Sequence, residues 1–165
     1  MIYLKCLWYI IRHKYYVLIE CFKRRLYIQG LLHDISKLYP SEFKRYAKYS
    51  DMFFNKNVDP DVLDEDIKKP IQDEFNLAWH HHQRYNKHHW QYWTIVESGN
   101  TIRPIPMPRK YVIEMACDWI GANKVGNNPA KDGKHPVRFY NEMKDKIILH
   151  EDSRTILEEL IREFE

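Results

Sequence analysis

The sequence has no Cys-x-x-C pair, and its three cysteines, Cys6, Cys21 and Cys117, are an odd number spread widely over 165 residues. This excludes a disulfide framework and a thiolate zinc site, and it predicts a reducing, cytoplasmic setting. Long apolar runs are missing too. The opening Met1–Ile11 looks like an anchor, but Lys5 and then Arg12-His13-Lys14 interrupt it, well short of the roughly 20 apolar residues that a span needs. It therefore predicts a buried helix and no membrane partner. A strong charge of one sign is also lacking. The 26 Lys and Arg against 23 Asp and Glu leave a formal charge of +3, too mild for a dedicated nucleic-acid binder yet compatible with a small phosphorylated ligand.

What remains is enough apolar matter, 44% hydrophobic and 15% aromatic, for one compact domain over residues 1–165. Apolar and aromatic residues recur at helical spacing from Ile2 to about Leu26, with Leu4, Leu7, Trp8, Ile11, Tyr15, Leu18, Ile19 and Phe22 on one broad stripe. Gly30 breaks that helix. Leu31–Leu38 reads as a short second helix, Pro40 ends it, and Ser41 and Glu42 open a third through Tyr49. Asn55–Pro60 is loop. A fourth helix starts near Asp61, passes Pro70 and enters a run of histidines. Thr94–Ile102, two β-like stretches around Ser98-Gly99-Asn100, predicts a small hairpin. Pro104, Pro106 and Pro108 forbid helix until Arg109, a helix follows through Ile120, and a turn-rich stretch from Gly126 to Pro136 precedes one or two closing helices. The fold class is thus an all-α helical bundle with one small β-hairpin.

Histidine is the residue in excess. Of nine, five lie between Ala78 and His89, too aromatic a setting and too internal a place for a purification tag. A metal site in a helical bundle needs imidazoles and carboxylates from several helices, since one helix face presents only ligands three or four residues apart. Four sources are available: His13 in the first helix, His33-Asp34 in the second, His80-His81-His82 and His88-His89 in the fourth, and Asp118 inside the apolar run Val112–Trp119. A buried carboxylate costs several kcal/mol unless a cation or strong donors compensate. For Asp118 the ordinary alternative is a salt bridge or a capping role near Gly121.

The order His13, His33-Asp34, Asp118 resembles the H…HD…D signature of the HD superfamily of metal-dependent phosphohydrolases. His33-Asp34-Ile35-Ser36-Lys37 is similar to the HD-x-G-K form of HD-GYP phosphodiesterases, and His81-His82-Gln83 with His88-His89 resembles the extra histidines that hold a second ion in two-metal members. Ser36 stands where that pattern has Gly, Gln83 where it has Glu, and no Gly-Tyr-Pro follows, so cyclic di-GMP hydrolysis is not implied. Ala78–His82, Asn86–Trp93 and Met107–Met115 together are also similar to an uncharacterised family of small phage and bacterial proteins, over about residues 13–124.

The resemblance implies an HD-domain-like bundle with one or two divalent transition ions, bridged by Asp34 when two are present, and a metal-activated water that attacks a phosphate ester, with nucleotides or cyclic nucleotides as substrates. Imidazole with carboxylate suits Fe, Mn, Zn or Ni better than Mg or Ca. The metal-ligand candidates are His13, His33, Asp34, His81, His82, His88, His89 and Asp118. The inward stripe Ile71, Phe75, Ala78 favours His82, the family pattern favours His81, and either pairs with His88 or His89 if the helix continues, so all four stand. Asp34 and Lys37 are the catalytic candidates. Lys37, a turn after His33, together with Arg84 and Lys87 forms the candidate phosphate-binding set, although the last two also fit a solvated helix end. Trp79, Trp90, Tyr92 and Trp93 read as core before base-stacking platform. His80, His135 and His150 read as outsiders. Two other readings stand: a di-iron oxygenase of the same superfamily, and a non-enzymatic protein in which the metal is structural or absent.

Overall fold

A computed structural model describes residues 1–54, 64–125 and 135–163. The loop read at Asn55–Pro60, the start of the fourth helix near Asp61 and most of the turn-rich stretch after Gly126 lie outside the described residues. The helices are α1 (Ile2–Lys23), α2 (Tyr27–Leu32), α3 (Pro40–Phe54), α4 (Glu65–Tyr85), α5 (Arg109–Val125), α6 (His135–Met143) and α7 (Glu151–Arg162), with short 3-10 turns at Ile35–Leu38 and Trp90–Trp93. The one sheet among them pairs β1 (Thr94–Val96) with β2 (Ile102–Pro104), antiparallel, Ile95 opposite Arg103. The fold is therefore all-α with a small hairpin, whose turn uses Gly99 and Asn100 at positive φ. No described helix is long and apolar enough to cross a membrane.

Local signals account for the boundaries. Asp64 caps α4 by accepting from the Asp66 amide, and Glu65 and Asp66 place negative charge on its first turn. Pro108 ends the proline-rich stretch, and its carbonyl receives the amide of Tyr111 as α5 begins. The largest core cluster joins Met107, Val112, Met115 and Ala116 to Tyr140, Ile147, Leu149, Leu157, Leu160 and Ile161, so α5 packs on α6 and α7. On its other side α5 meets α1 through Val17, Cys21 and Cys117.

Three expectations fail here. Gly30 does not break the first helix, which already ends at Lys23; it lies inside α2, where an added Cβ would run into Cys21 and Leu18 of α1. Of the expected stripe, Leu4, Trp8, Ile11, Tyr15 and Phe22 face away from the core and are exposed, and Leu7, Leu18 and Ile19 are only half-buried; α1 buries Cys6, Ile10, His13, Val17, Glu20 and Cys21 instead. The more polar face is the inner one because it carries His13 to the site and Glu20 to an ion-pair cluster with Lys23, Arg24 and Lys124. Nor is there one helix from Leu31 to Leu38. α2 stops at Leu32, and Asp34 takes a left-handed conformation at φ 53° before the 3-10 turn.

The α1–α5 seam sets the site's dimensions, since His13 and Asp118 lie on its two sides. It closes on Gly121, where an added Cβ would stand 2.4 Å from Val17 Cγ2 and 3.2 Å from the Val17 amide nitrogen. Helix propensity alone favours Gly121→Ala by about 1 kcal/mol, whereas overpacking of a tight core costs about 1–3 kcal/mol. Sterics should win. The expected result is a lower denaturation midpoint for Gly121→Ala in urea, and a raised midpoint would show a looser seam than the structure has.

Candidate metal centre

Asp34 stands at the centre of the buried cluster, and its two carboxylate oxygens face different partners. Oδ2 lies 3.5 Å from His13 Nε2 and 3.4 Å from His33 Nε2. Oδ1 lies 3.2 Å from His82 Nε2 and 3.3 Å from His88 Nε2. Asp118 Oδ1 completes the first set, 2.9 Å from His13 Nε2 and 3.3 Å from His33 Nε2. His89 joins the second. Each residue of a set offers a ligand atom within 4.8 Å of the others, so His13, His33, Asp34 and Asp118 form one potential metal group, and Asp34, His82, His88 and His89 another.

The donor spacing fits an ion. Ligand atoms about 2.1 Å from a tetrahedral centre stand about 3.4 Å apart, close to the 2.9 to 3.5 Å separations in the first group. Asp34 Oδ1 and the Nε2 atoms of His82, His88 and His89 are buried without a hydrogen-bond partner. Such orphaned polar atoms are costly unless something else engages them.

The imidazoles are aimed by two buried glutamates. Glu114 Oε1 lies 3.1 Å from His33 Nδ1 and 3.3 Å from His88 Nδ1, and Glu42 Oε2 lies 3.0 Å from His82 Nδ1. When Nδ1–H donates to a carboxylate, the lone pair of Nε2 is left for a metal, the usual arrangement behind a ligating histidine. Ser36 Oγ donates to Glu42 Oε2, and Asn86 Nδ2 donates to Ser36 Oγ and to the His82 carbonyl. That last contact also holds the chain where α4 ends. Asn86 is extended, so the helix does not run on to the later histidines; the chain turns and brings His88 and His89 back over His82.

The side chains of the cluster form a dense set of opposed charges. Burial pushes the Asp34 carboxyl up, but His33, Lys37, His82 and His13 outweigh it and hold it well below the ordinary carboxylate range. Asp118 is likewise held well below, burial being overcome by His13 and His33. Burial alone would lower His33, but Asp34, Asp118 and Glu114 raise it well above the ordinary histidine value. His88 is raised by Asp34 and Glu114 against burial and the neighbouring His33. Burial, with His88 and His82 beside it, holds His89 well below, as a neutral imidazole.

Of the residues singled out in the sequence, the structure brings together His13, His33, Asp34, His82, His88, His89 and Asp118. It leaves His81 outside: the side chain is about half exposed, with Nδ1 2.6 Å from Glu42 Oε1. Successive helical residues point about 100° apart, so His81 and His82 cannot both face inward. Lys37 is close, with Nζ 2.6 Å from Asp34 Oδ2, so its charge is engaged with the carboxylate. Arg84 and Lys87 are exposed; Arg84 donates to the Gln91 carbonyl, and Lys87 lies over the Tyr92 ring. Neither is seen to touch the cluster: Arg84 in the last turn of α4 and Lys87 in the segment after it are turned to solvent, while their neighbours His82, Asn86 and His88 are buried. Glu42 and Glu114 were not anticipated. Glu114 was detectable, one turn before Asp118 in the same apolar run, whereas Glu42 opens α3 like any acidic residue on a first helical turn.

Two outcomes are expected on titration with Mn(II) or Zn(II). His82→Ala should lose tight binding at the second group while His81→Ala keeps it, and equal loss in both would contradict the assignment. Because Asp34, Asp118 and Glu114 raise His33 well above the ordinary histidine value, it holds a proton near neutral pH that a metal must displace. Binding should therefore tighten as pH rises through neutrality and release at least about one proton per chain, read by calorimetry in buffers of different ionisation enthalpy; release of none would contradict this protonation state.

A model of a family of unknown function (DUF5662) matches residues 3–163. No curated protein matches the chain, and no solved structure does.

Proposed function

The chain belongs to that family of unknown function, so any activity must be argued from the site itself, and we propose that it is a two-metal phosphohydrolase of the HD kind acting on a nucleotide-like phosphate ester. The observation that carries this reading is the division of Asp34, one oxygen toward His13 and His33 and the other toward His82 and His88. A carboxylate so placed is positioned to be shared by two ions. His13, His33 and Asp118 would hold the first and His82, His88 and His89 the second. Bound divalent transition ions supply Lewis acidity and lower the pKa of coordinated water towards about 7.

The chain's own residues do the rest. Glu114 and Glu42 keep His33, His88 and His82 in the tautomer that presents Nε2 inward. Lys37 neutralises part of the excess negative charge at Asp34, which serves the site from behind rather than by reaching for substrate. A cavity of about 360 Å³ opens on the cluster and touches Asp118 of one group and His89 of the other. Its walls include Trp79, Trp90, Trp119 and Phe139, with Gln83 and Gln91 as amide groups and no Lys or Arg among the described residues. Such a lining favours a neutral aromatic ring stacked between indoles, with its phosphate at the metals, over a long polyphosphate.

The test is hydrolysis of p-nitrophenyl phosphate and a panel of nucleoside monophosphates and cyclic nucleotides by protein loaded with Mn(II), Fe(II) or Zn(II). The account expects release of phosphate or ring opening, lowered about 10³-fold or more in Asp34→Asn. Failure on every phosphoester, with oxygen consumption by the iron-loaded protein, would replace hydrolysis with oxidative chemistry at the same residues.

A further inference from the structure

Helix α1 is amphipathic in the reverse of the usual sense. The side it turns inward carries Cys6, Ile10, His13, Val17, Glu20 and Cys21, while Leu4, Trp8, Ile11, Tyr15 and Phe22 line the opposite side. Leu4 is 72% exposed, Trp8 62% and Tyr15 58%. Their spacings of four, three, four and seven residues put them in one row along the helix. The row does not end with α1. The Phe22 ring meets Tyr27 edge-on at 5.0 Å between centroids, and Ile28, Leu31 and Leu32 of α2 are exposed beyond it. A contiguous patch of this kind on one face marks an interaction surface.

The charge around it narrows the partner. Residues 1–50 hold ten Lys and Arg but only three acidic residues, Glu20, Asp34 and Glu42, and all three are buried. That part of the chain is formally +7, while residues 51–165 are −4. Lys5, Arg12 and Lys23 fall along one flank of the apolar row at about 90° from it. A second copy docked face to face would set these cations against their equals, with no exposed carboxylate from residues 1–50 of either copy to pair with them. Nucleic acid would satisfy the cations but not a row of aliphatic and indole side chains.

We propose that the outer face of α1 and α2 docks on an anionic lipid surface, with Leu4, Trp8, Ile11 and Tyr15 in the headgroup and upper acyl region and Lys5, Arg12 and Lys23 on the lipid phosphates. Apolar side chains backed by Trp and Tyr and flanked by Lys and Arg are the composition of helices that lie in the membrane interface. Crossing is excluded for every described helix. The surface is separate from the buried histidines, and the proposal does not depend on what they catalyse.

Co-sedimentation of the full chain with vesicles tests it. Vesicles of phosphatidylcholine with phosphatidylglycerol should carry the protein down, phosphatidylcholine alone should not, and high salt should release it. Trp8→Glu with Ile11→Glu should lower partitioning at least about tenfold with the circular dichroism and melting temperature unchanged, because both side chains are outside the core. Lys5→Glu with Arg12→Glu, which leaves both the apolar row and the Glu20 ion pairs intact, should lower it at least about tenfold, as a basic residue at an anionic surface contributes about fivefold. No binding to the anionic vesicles, or undiminished binding in both double variants, overturns the proposal. So does a native dimer in sedimentation equilibrium that Trp8→Glu with Ile11→Glu makes monomeric, which would make this face a contact between copies.

Discussion

A carboxylate deep inside a protein must be surrounded by groups that replace its hydration, and the arrangement around Asp34 follows from that requirement. Four imidazoles from α1, the α2 terminus, α4 and the segment after α4 converge on its two oxygens, and Lys37 adds a full positive charge. The backbone is bent to serve it. Asp34 has φ 53°, a left-handed conformation that costs an L-residue about 1–2 kcal/mol and that glycine adopts freely. What accounts for an acidic side chain at such a position is what it contacts.

Around this centre the glutamates form an outer layer. Glu114 spans the two groups, meeting His33 of one and His88 of the other, while Glu42 governs His82. Each receives Nδ1, so the inward Nε2 atoms share one orientation. The closeness of α1 to α5 at Gly121 fixes how near His13 comes to Asp118, which joins a packing detail to the geometry of the site.

How far the sequence could be read divides along physical lines. Asp118 was legible because residue type and setting conflict, a carboxylate in an apolar run needing a partner, whereas His33-Asp34 was legible only through its resemblance to the HD pattern, with an upstream His and a downstream Asp in the same order. His82 was legible from the stripe Ile71, Phe75, Ala78, which pointed to it where the family pattern pointed to His81. His88 and His89 could not be separated by periodicity, since the chain leaves the helix at Asn86 and both return to the cluster. Glu42 gave no local sign, because its role comes from a contact forty residues away in sequence with His82. The inner face of α1 was illegible for another reason. Hydrophobic periodicity finds the apolar side of a helix but not what that side faces, and here the core needed the side that bears His13 and Glu20.

The central claim, that Asp34 is shared by two metal groups, is tested most directly by anomalous scattering from a crystal of the protein loaded with Mn(II) or Zn(II). Two peaks are expected about 3.5–4 Å apart, the spacing of two-metal hydrolytic sites, one beside Oδ2 with His13, His33 and Asp118 and one beside Oδ1 with His82, His88 and His89. A single peak, or peaks that leave Asp34 paired only with Lys37, would contradict it.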